Sequence, residues 1–521
     1  MKALDLIIIF GYLIGIVLFG TWFGRKQKTT SDYFLGDRSV PWWAVAFSIV
    51  ATETSTITFI SVPGIAFARG GNFQFLQLVF GYLLGRVVIS ILFIPSYFRG
   101  ELLTVYQLLD RRFGGKIKMV AASLFVVMRN IADGIRLLLT AIVLAAVYAS
   151  FQPAANAETI IIASIILIGV AMIIFTYFGG MEAVIWVEVV QLGIYIAGAI
   201  AAAIVLVMSI DGGLAAAHSL ALQYGKYSLF DFTLDHTRVY TFWSGLFGGC
   251  FLTMSTHGTD QYLVQRYLCT DRPRKAIIAL LTSGAIVLVQ FIGFLFIGVL
   301  LFAFYHPFTD PAYATAASTA YPFTGGDRVF PDFITQHMPT GLSGLVVAAI
   351  FAAAMSSSLN SIAATAVNDL YKPFRPARDD KHYLKVSHVL TLVWGIVQIG
   401  VALVVRNQPG SALSQALSIA SLINGPILGV FLVGTFLRRV SQPPALIGML
   451  VSMGAMLYVF LATKIAWTWY VLLGSAITFV VAWAASFVFS ASSAQPLRPL
   501  RWNDLNAEDA EVTQRSQRKS P

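Results

Sequence analysis

The sequence predicts an all-α polytopic membrane protein with thirteen transmembrane helices, ten of which form two inverted five-helix repeats. First, hydrophobic residues make up 57% of the 521 residues and charged residues only 12%, whereas soluble chains carry roughly 25% charged residues. Second, apolar stretches of about 20 residues, long enough for a helix to cross a bilayer, recur along nearly the whole chain. Third, two spans that lie five apart carry polar interruptions. Alternating segments of about ten residues, which are typical of a membrane β-barrel, are absent.

The thirteen predicted spans succeed one another with mostly short loops between them. They cover residues 4–24, 42–67, 74–98, 119–149, 158–177, 185–209, 240–267, 276–304, 341–365, 385–405, 411–437, 443–463 and 467–490. The first span has no basic leader before it and no small-residue cleavage site after it, which predicts a retained helix. We therefore expect one transmembrane domain over 1–490 and a polar, disordered cytoplasmic tail over 491–521.

Lys and Arg are distributed unequally between the loops on the two sides of the membrane. When the loops are numbered alternately, one side, which includes the tail, collects 25 of the 35 basic residues. The opposite side holds Lys2, Arg69, Lys226, Arg238, Arg328, Arg406 and Lys464. Because cytoplasmic loops are enriched in Lys and Arg, this pattern predicts an outside N-terminus and a cytoplasmic C-terminus in the cell membrane. The same asymmetry explains the net charge of +10 without a nucleic-acid partner.

Two spans carry the signals of interrupted helices. The second contains the hydroxyl-rich run ATETSTITFISVPG at 51–64, and the seventh contains FGGCFLTMSTHGTDQYLVQRY with Asp260. Transporters with inverted repeats place a broken helix at the binding site, where unwound backbone binds ions and solute. We therefore predict repeat one at about 42–209 and repeat two at about 240–437. The helices outside the repeats are 4–24, 443–463 and 467–490.

Glu53 lies in the middle of the apolar second span. Moving a carboxylate into hydrocarbon costs at least about 2.5–3.5 kcal/mol, so this group must be paired, protonated or hydrated. One interpretation is that Glu53 lines a solute cavity, beside unwound carbonyl groups near Ala51 and Thr54 that bind a cation. The alternative is a structural contact, such as an ion pair with Arg129 or Arg136 in the fourth span. The coincidence of the charge with the unwinding signals favours the cavity.

The ninth span is polar along one face. Ser357, Ser361 and Thr365 recur every four residues, and Ser356 and Ser357 are adjacent at mid-helix. These hydroxyl groups suit a hard monovalent cation, but small residues equally serve close helix packing. Glu188, near the cytoplasmic end of the sixth span, is either a second cation ligand or a surface anchor.

The remaining polar and reactive residues do not indicate an enzyme. Asp133 lies four residues after Arg129 and three before Arg136, which predicts a local ion-pair cluster. Cys250 and Cys269 are nineteen residues apart, about 28 Å along a helix, so they cannot form a disulfide with each other. The tetrapeptide GLSG matches a serine signature of intramembrane proteases but has no identifiable His partner. No phosphate-binding Gly-Lys-Ser/Thr loop of an ATP-driven pump occurs.

Six motifs resemble, in order and spacing, those of the sodium/solute symporter family. They are SDYFLGDRSVPWW at 31–43, VATETSTITFISVPG at 50–64, TVYQLLDRRFG at 104–114, TYFGGMEAVIWVEVVQ at 176–191, GTDQYLVQRY at 258–267 and AAAMSSSLNSIAATAVNDLY at 352–371. Each motif alone is short, but together they cover most of the chain in register. The resemblance implies a leucine-transporter-like fold and sodium-coupled uptake by alternating access.

The resemblance also implies which residues bind the coupling ion, Na⁺. In the family, the shared sodium site takes backbone oxygens from the broken second span, which correspond here to Ala51 and Thr54. A pair of hydroxyl groups from the ninth span completes the site. An alignment on the AAAMSS motif puts that pair on Ser356 and Ser357.

Solute contacts implied by the resemblance come from both interrupted spans. In the second span they correspond to Glu53, Ile57 and Thr58. In the seventh span they correspond to Asp260 and Gln261. The solute itself is not specified by the motifs, because the family includes carriers for many chemical classes.

Three positions depart from the family pattern. An ungapped alignment of the ninth span puts the hydroxyl pair on Ala353 and Ala354, which have no side-chain oxygen, so we favour the serine register. Glu188 replaces the usual Asp of a further sodium site of some members, to which Ser358 would also contribute. Ile57 stands where sugar carriers have a carboxylate, which counts against a sugar.

We therefore expect a sodium-coupled symporter that imports a small organic solute, with the lipid bilayer as its surroundings and no obligate protein partner. A sodium-independent or proton-coupled carrier, with Glu53 as the proton acceptor, is the alternative within transport. A transporter-like sensor is the alternative from another class, although the chain carries no signalling module.

Overall fold

Helices form almost all of the regular structure. The computed structural model describes residues 3–23, 28–54, 56–99, 102–151, 156–355, 358–376, 378–406 and 412–489, and none of these residues lies in a β-strand. The first ten helices are α1 (Ala3–Phe23), α2 (Thr30–Leu35), α3 (Trp42–Glu53), α4 (Thr56–Phe67), α5 (Leu76–Leu92), α6 (Ile94–Tyr97), α7 (Gln107–Phe113), α8 (Gly115–Phe151), α9 (Ala157–Ser209) and α10 (Gly213–Gln223). The others are α11 (Gly249–Gly258), α12 (Gln261–Leu268), α13 (Pro273–Tyr305), α14 (Val329–Gln336), α15 (Leu342–Met355), α16 (Leu359–Thr365), α17 (Asp380–Val405), α18 (Ala412–Phe436), α19 (Gln442–Ala462) and α20 (Tyr470–Ala485).

Six of the described helices are long and apolar enough to cross a membrane by themselves, namely α1, α9, α13, α17, α19 and α20. The bent pair α3 and α4 raises the number to seven. The other predicted spans correspond to helices that are shorter, interrupted or more polar. The all-helical class is confirmed, whereas the count of thirteen spans and the two five-helix repeats stay predictions.

The predicted fifth and sixth spans are joined in α9, which has 53 residues. A straight helix of this length would measure roughly 80 Å, much more than the ~30 Å hydrocarbon core. Gly180, at φ +62°, is the non-helical residue inside α9, and glycine adopts this conformation at low cost. The predicted connection over 178–184 was therefore too long, because the chain changes direction at one glycine.

The interrupted segments pack inside the bundle. Helix α3 contacts α9 and α13, α4 contacts α13, and α5 contacts α11. Outside them, α1 packs against α9 and α15, and α18 packs against α19 and α20. The arrangement gives both interrupted segments protein neighbours, which non-helical backbone at membrane depth requires.

The first helix is fixed to α15 by Asp5. Its Oδ1 atom accepts hydrogen bonds from the backbone N–H of Gly341 at 2.6 Å and of Gly344 at 3.0 Å, and from the hydroxyl of Ser343 at 2.9 Å. A carboxylate at this position satisfies N–H groups of the first turn and complements the helix dipole. Asp5 therefore caps a helix that lies more than 330 residues away in sequence.

Polar contacts join loops that the predicted topology puts on the same side. On the predicted cytoplasmic side, the carboxylate of Asp380 accepts hydrogen bonds from the backbone N–H and the hydroxyl of Thr30, at 2.8 and 2.7 Å. On the predicted outer side, Arg69 donates to the carbonyl of Tyr313 at 2.5 Å. These contacts agree with a topology in which successive spans cross the bilayer in alternating directions.

Lys226, in a loop predicted to lie outside, holds the outer end of α4. Its ammonium donates to the carbonyl oxygens of Ala66, Phe67 and Ala68 at 2.9, 3.1 and 2.7 Å. It also lies 4.0 Å from the centroid of the Phe302 ring. A cation at this position satisfies carbonyls that the last helical turn leaves without partners and complements the helix dipole.

The Lys226→Met variant should be less stable than the native protein, because three buried carbonyls lose a charged donor. We expect a loss of about 2–3 kcal/mol, measured as a lower midpoint of thermal unfolding in detergent. Lys464→Met is the matched control, since Lys464 is exposed on the same predicted side. Equal midpoints for the two variants would contradict the assigned role of Lys226.

Candidate functional site

A cavity of about 300 Å³ lies beside the break between α3 and α4. Its polar wall residues are Thr52, Glu53, Thr58, Ser61, Tyr82, Arg129, Arg136, Tyr240, Thr253, Thr256, His257, Tyr262 and Asn424. The apolar part of the wall includes Phe75, Leu78, Phe291 and Trp467. A mainly apolar cavity with a few converging polar groups is typical of a small-molecule site.

The cavity extends toward the side that is predicted to be external. Phe75, Tyr240 and Trp467 belong to its wall, and each lies next to a loop predicted to be outside. At the other end, the wall is formed by Arg129 and Tyr262, which lie in the halves of their predicted spans that are nearer the cytoplasm. The cavity therefore lies nearer the predicted external side than the predicted cytoplasmic side.

The break itself combines two helix ends at an angle of 58°. It comes directly after Glu53, so the Pro63–Gly64 pair that the sequence suggested as part of the interruption lies inside α4 instead. A Cβ atom on Gly64 would be only 2.3 Å from the carbonyl oxygen of Gly326. Glycine at position 64 thus allows the loop that contains Gly326 to approach α4. The interruption of the helix itself falls in the hydroxyl-rich run after Glu53.

Glu53 lies on the cavity wall with a side chain that is 15% exposed. Its Oε2 accepts a hydrogen bond from Arg86 at 2.5 Å, and its Oε1 lies 2.8 Å from Nε2 of His257. The carboxylate is therefore part of the cavity and ion-paired at the same time. The partner is Arg86 rather than the predicted Arg129 or Arg136, since both of these point to other carboxylates.

Both oxygens of Glu53 are already used, and this limits what the residue can do. A carboxylate that is neutralised by an adjacent guanidinium has little to gain from a cationic solute. The arrangement also disfavours Glu53 as the proton acceptor of a proton-coupled carrier, since the charged form is stabilised by two donors.

Tyr262 is surrounded by three arginines. The guanidinium carbons of Arg129, Arg266 and Arg136 lie 4.5, 4.6 and 5.9 Å from the centroid of its ring, distances that permit cation–π attraction. Arg129 is hydrogen-bonded to the carboxylate of Asp260. Aromatic and charged groups thus close the cavity toward the predicted cytoplasmic side.

Asp260 and Gln261, which the resemblance placed in contact with solute, are not among the cavity wall residues. Asp260 caps α12 by accepting from the backbone N–H of Tyr262 at 2.9 Å. The Gln261 side chain accepts from the N–H of Val105 at 2.8 Å and donates to the carbonyl of Leu103 at 3.1 Å. Both residues therefore fix backbone next to the cavity, and the structure does not place them in direct solute contact.

The backbone part of the implied sodium site lies at the end of α3. Ala51 is in the last turn of this helix, where carbonyl groups lack intrahelical donors. Thr54 comes after the end of the helix, and its hydroxyl lies 2.7 Å from the carbonyl oxygen of Val50 and 2.8 Å from Oε1 of Gln290. The break thus lies next to Ala51 and Thr54, whose role as sodium ligands stays a prediction.

Thr58 is the predicted solute contact that the cavity wall contains besides Glu53. Its hydroxyl donates to the carbonyl of Glu53 at 3.0 Å, across the break between the two helices. The side chain of Ile57 lies outside the described part of the structure. Thr58 therefore connects the cavity wall to the break.

The side-chain part of the implied sodium site lies outside the described residues, because it falls on Ser356 and Ser357. The side chains of 353–354, the alternative register, are also outside them. Ser358, the next residue, is described: its backbone N–H donates to Asp133 at 3.0 Å, and its hydroxyl donates to the same carboxylate. The carboxylate of Asp133 thus lies next to the interval between α15 and α16.

The structure does not bring Glu188 and Ser358 together as a second sodium site. Glu188 is fully buried and forms an ion pair with Arg266 at 2.5 Å, and it accepts hydrogen bonds from the hydroxyls of Ser48 and Thr52. The hydroxyl of Ser358 is bonded to a different carboxylate. Glu188 is therefore not a surface anchor, because it is buried and paired with an arginine. Its role as a second cation ligand stays a prediction.

Sequence reasoning assigned no partner to Arg86, His257 and Arg266. All three lie within predicted spans, and all three are buried. An isolated cation in an apolar span is itself a signal, because it requires an anion nearby. The helical pattern does not reveal which anion.

A further buried carboxylate, Asp369, lies beyond the predicted cytoplasmic end of the ninth span. Its Oδ1 accepts a hydrogen bond from Thr104 at 2.9 Å, whereas its Oδ2 has no hydrogen-bond partner among the described residues. Burial raises the pKa of Asp369 to about 7, with the hydrogen bond from Thr104 and the charge of Lys118 acting in the opposite direction.

Comparison with known proteins now gives the family. The sequence model of the sodium:solute symporter family matches residues 33–452. The chain belongs to this family. The sodium/sialic acid symporter NanT of Aliivibrio fischeri is 31% identical over 94% of each chain. The sodium/sialic acid symporter SiaT of Proteus mirabilis is 30% identical over 90% of this chain and 92% of that protein. The human sodium/iodide cotransporter is 28% identical over 86% and 68%, respectively.

A solved structure has the same architecture. It is a substrate-bound, outward-open state of a Na⁺-coupled sialic acid symporter, with a TM-score of 0.82, 28% identity, and coverage of 94% of this chain and 99% of that one. The nucleobase-cation symporter Mhp1 shares the fold at a TM-score of 0.52 and 14% identity. The chain is thus a sodium-coupled symporter with Na⁺ as coupling ion, and not an enzyme.

Removal of one partner of the Glu53–Arg86 pair should cost more than removal of both. Arg86→Met leaves a buried carboxylate without its cation, and we expect a loss of about 3–5 kcal/mol. The double variant Glu53→Gln/Arg86→Met should be more stable than the sum of the single effects predicts, as measured by thermal unfolding in a double-mutant cycle. The exposed pair Lys275 and Asp271 is the control, with a coupling below about 1 kcal/mol. Additive effects at Glu53 and Arg86 would contradict the assigned pairing.

The raised pKa of Asp369 predicts a pH dependence of stability. Between pH ~4 and pH 7 the unfolded chain ionises this group while the folded chain keeps its proton, so stability falls as the pH rises. Asp369→Asn should remove this component, so that its unfolding midpoint changes less between pH 5 and pH 7.5 than that of the native protein. Asp271→Asn, an exposed control on the same predicted side, should leave the native pH profile in place. A native-like profile for Asp369→Asn would show that Asp369 is ionised in the fold.

Proposed function

We propose that this symporter imports a small organic solute that carries a carboxylate. The observation that supports this is the charge of the cavity wall: Arg129 and Arg136 face the cavity, whereas the acidic wall residue, Glu53, is already paired with Arg86. A guanidinium beside an apolar cavity is suited to bind a carboxylate through two parallel hydrogen bonds.

Arg136 is the residue we assign to the solute carboxylate. It lies on the cavity wall. Its contacts include the hydroxyl of Tyr262 at 3.3 Å and the carboxylate of Asp133 at 3.7 Å, so a solute carboxylate would bind in addition to these groups. Arg129, in contrast, is held tightly by Asp260. Thr58 and Asn424, also on the wall, would supply hydrogen bonds to other polar groups of the solute.

The relatives support an anionic solute. Two of them are named for sialic acid and one for iodide, and another is a human sodium-coupled monocarboxylate transporter, 27% identical over 88% of this chain. Sialic acid is the first solute to test, since its carriers align with nearly the whole chain. The position of Ile57 agrees with a solute other than a neutral sugar.

Sodium would bind where α3 ends, through the carbonyl oxygens of Ala51 and Thr54 together with Ser356 and Ser357. One sodium ion that moves inward across 100 mV releases about 2.3 kcal/mol, which supports roughly a fifty-fold solute gradient. Sodium bound at the break would hold α3 and α4 in the geometry that presents Thr58 to the solute. Sodium would bind this conformation more tightly than the others, and this difference in affinity would couple ion binding to solute binding.

The predicted topology has thirteen spans, inverted repeats and the N-terminus outside. In this topology, the position of the cavity suits transport by alternating access. The cavity extends toward the predicted external side, and the arginine groups around Tyr262 close the other end. Opening toward the cytoplasm would require α12 to separate from α8 and α9, which its ion pairs oppose. Solute and sodium together would lower this barrier.

Uptake into proteoliposomes tests the proposal. Labelled sialic acid should accumulate when external sodium is present, and replacement of sodium by potassium should abolish accumulation. Equal uptake in both salts would refute coupling. Ser357→Ala should raise the sodium concentration for half-maximal uptake, because one ligand oxygen is lost; an unchanged value would favour the alanine register.

The role of Arg136 has its own test. Arg136→Gln should weaken binding of the carboxylate solute by about 10- to 100-fold, the loss expected for one charged hydrogen-bonding group, with a much smaller change in sodium affinity. Arg328→Gln, on the predicted outer surface, is the control. Equal solute affinity of Arg136→Gln and native protein would remove Arg136 from the site.

A further inference from the structure

A groove lies between the ends of α18 and α20, on the side predicted to be cytoplasmic. It has a volume of about 590 Å³ and is lined by residues 436–440 on one wall and by Trp483 and residues 486–489 on the other. Phe436 is 53% exposed and Trp483 49% exposed. Side chains of this kind, at the end of membrane helices, are typical of the lipid–water interface.

Two arginines, Arg438 and Arg439, line the same groove and are exposed. Within the described ranges, neither guanidinium forms an ion pair or a hydrogen bond, and the groove wall contains no acidic residue. Lys118, on the same predicted side, is paired with Asp110 at 2.5 Å. The groove thus has positive charge that the described part of the chain leaves uncompensated.

A third arginine, Arg112, lies directly behind the groove. It is 2% exposed, and it donates to the carbonyl oxygens of Leu437 and Arg438 at 2.8 and 3.3 Å. Its Nε and Nη1 atoms are buried without a hydrogen-bond partner among the described residues. A buried guanidinium with unpaired donors is costly unless an anion lies near it. Arg112 belongs to the TVYQLLDRRFG motif, to which solute transport gives no role.

We propose that this groove binds the phosphate headgroup of an anionic phospholipid from the adjacent leaflet. Arg438 and Arg439 would contact the phosphate, Arg112 would add a fixed positive charge behind it, and Phe436 and Trp483 would contact the acyl chains. Arginine binds phosphate through parallel hydrogen bonds, and clusters of basic residues at the cytoplasmic ends of membrane helices attract anionic lipids. This site is separate from the solute cavity and goes beyond the proposed transport function.

Lipid titration of the purified full-length protein, followed by native mass spectrometry, tests the site. With phosphatidylglycerol we expect one saturable adduct at low lipid concentration, and with phosphatidylcholine no such adduct. The Arg438→Ala/Arg439→Ala variant should bind phosphatidylglycerol about thirtyfold more weakly, since two arginine–phosphate attractions are lost. The matched control is Arg375→Ala/Arg378→Ala, which removes two exposed arginines from the same predicted side but outside the groove. It should bind like the native protein.

Four results would overturn the proposal: equal binding of both lipids, equal loss in both double variants, displacement of phosphatidylglycerol by an equal concentration of inorganic phosphate, or no adduct with the native protein. Absence of an adduct with the native protein is the result expected if residues 491–521 occupy the groove. A native-like unfolding midpoint shows that the variant is folded. The lipid-binding result can be interpreted even if sodium-dependent uptake is not observed. Likewise, the uptake result can be interpreted even if no lipid binds.

Discussion

Compensation of charge inside the helical bundle is the constraint on which this structure depends. A carboxylate cannot stay ionised and alone in a medium of low dielectric constant, and four of them each face an arginine. The pairs are Glu53–Arg86, Asp260–Arg129, Asp133–Arg136 and Glu188–Arg266. Three of these pairs connect different helices, so electrostatic compensation also fixes α3 to α5, α8 to the start of α12, and α9 to α12.

The balance of these charges explains how one cavity could accept both an ion and an anion. The four carboxylates and four arginines cancel, so sodium at the end of α3 and a carboxylate at Arg136 would enter as a neutral combination. Both interrupted segments contribute to this arrangement, because backbone that leaves the helix exposes carbonyl oxygens and places caps such as Asp260 at membrane depth. Tyr262 lies where these parts meet.

Contacts between residues close together in the sequence could be predicted from their spacing, whereas contacts across the bundle could not. The ion pair between Asp133 and Arg136 was predicted because the residues are three apart on one helix. The need to neutralise Glu53 was also evident, but its partner was assigned to the wrong helix. Helical periodicity shows which face a side chain occupies, not which neighbour the fold puts opposite it. For the same reason, periodicity did not reveal that Gln261 holds the loop before α7; its role in solute binding stays a prediction.

The C-terminal end of α4 illustrates a different solution to the problem of unpaired carbonyl groups. There the cation is Lys226, which is covalently part of the chain and occupies a cradle of three backbone oxygens. Such a tethered amine cannot diffuse away, so this end of the helix keeps its hydrogen-bond donor whatever salt surrounds it. At the opposite end of α4, next to the break with α3, a transported ion and its solute would meet instead.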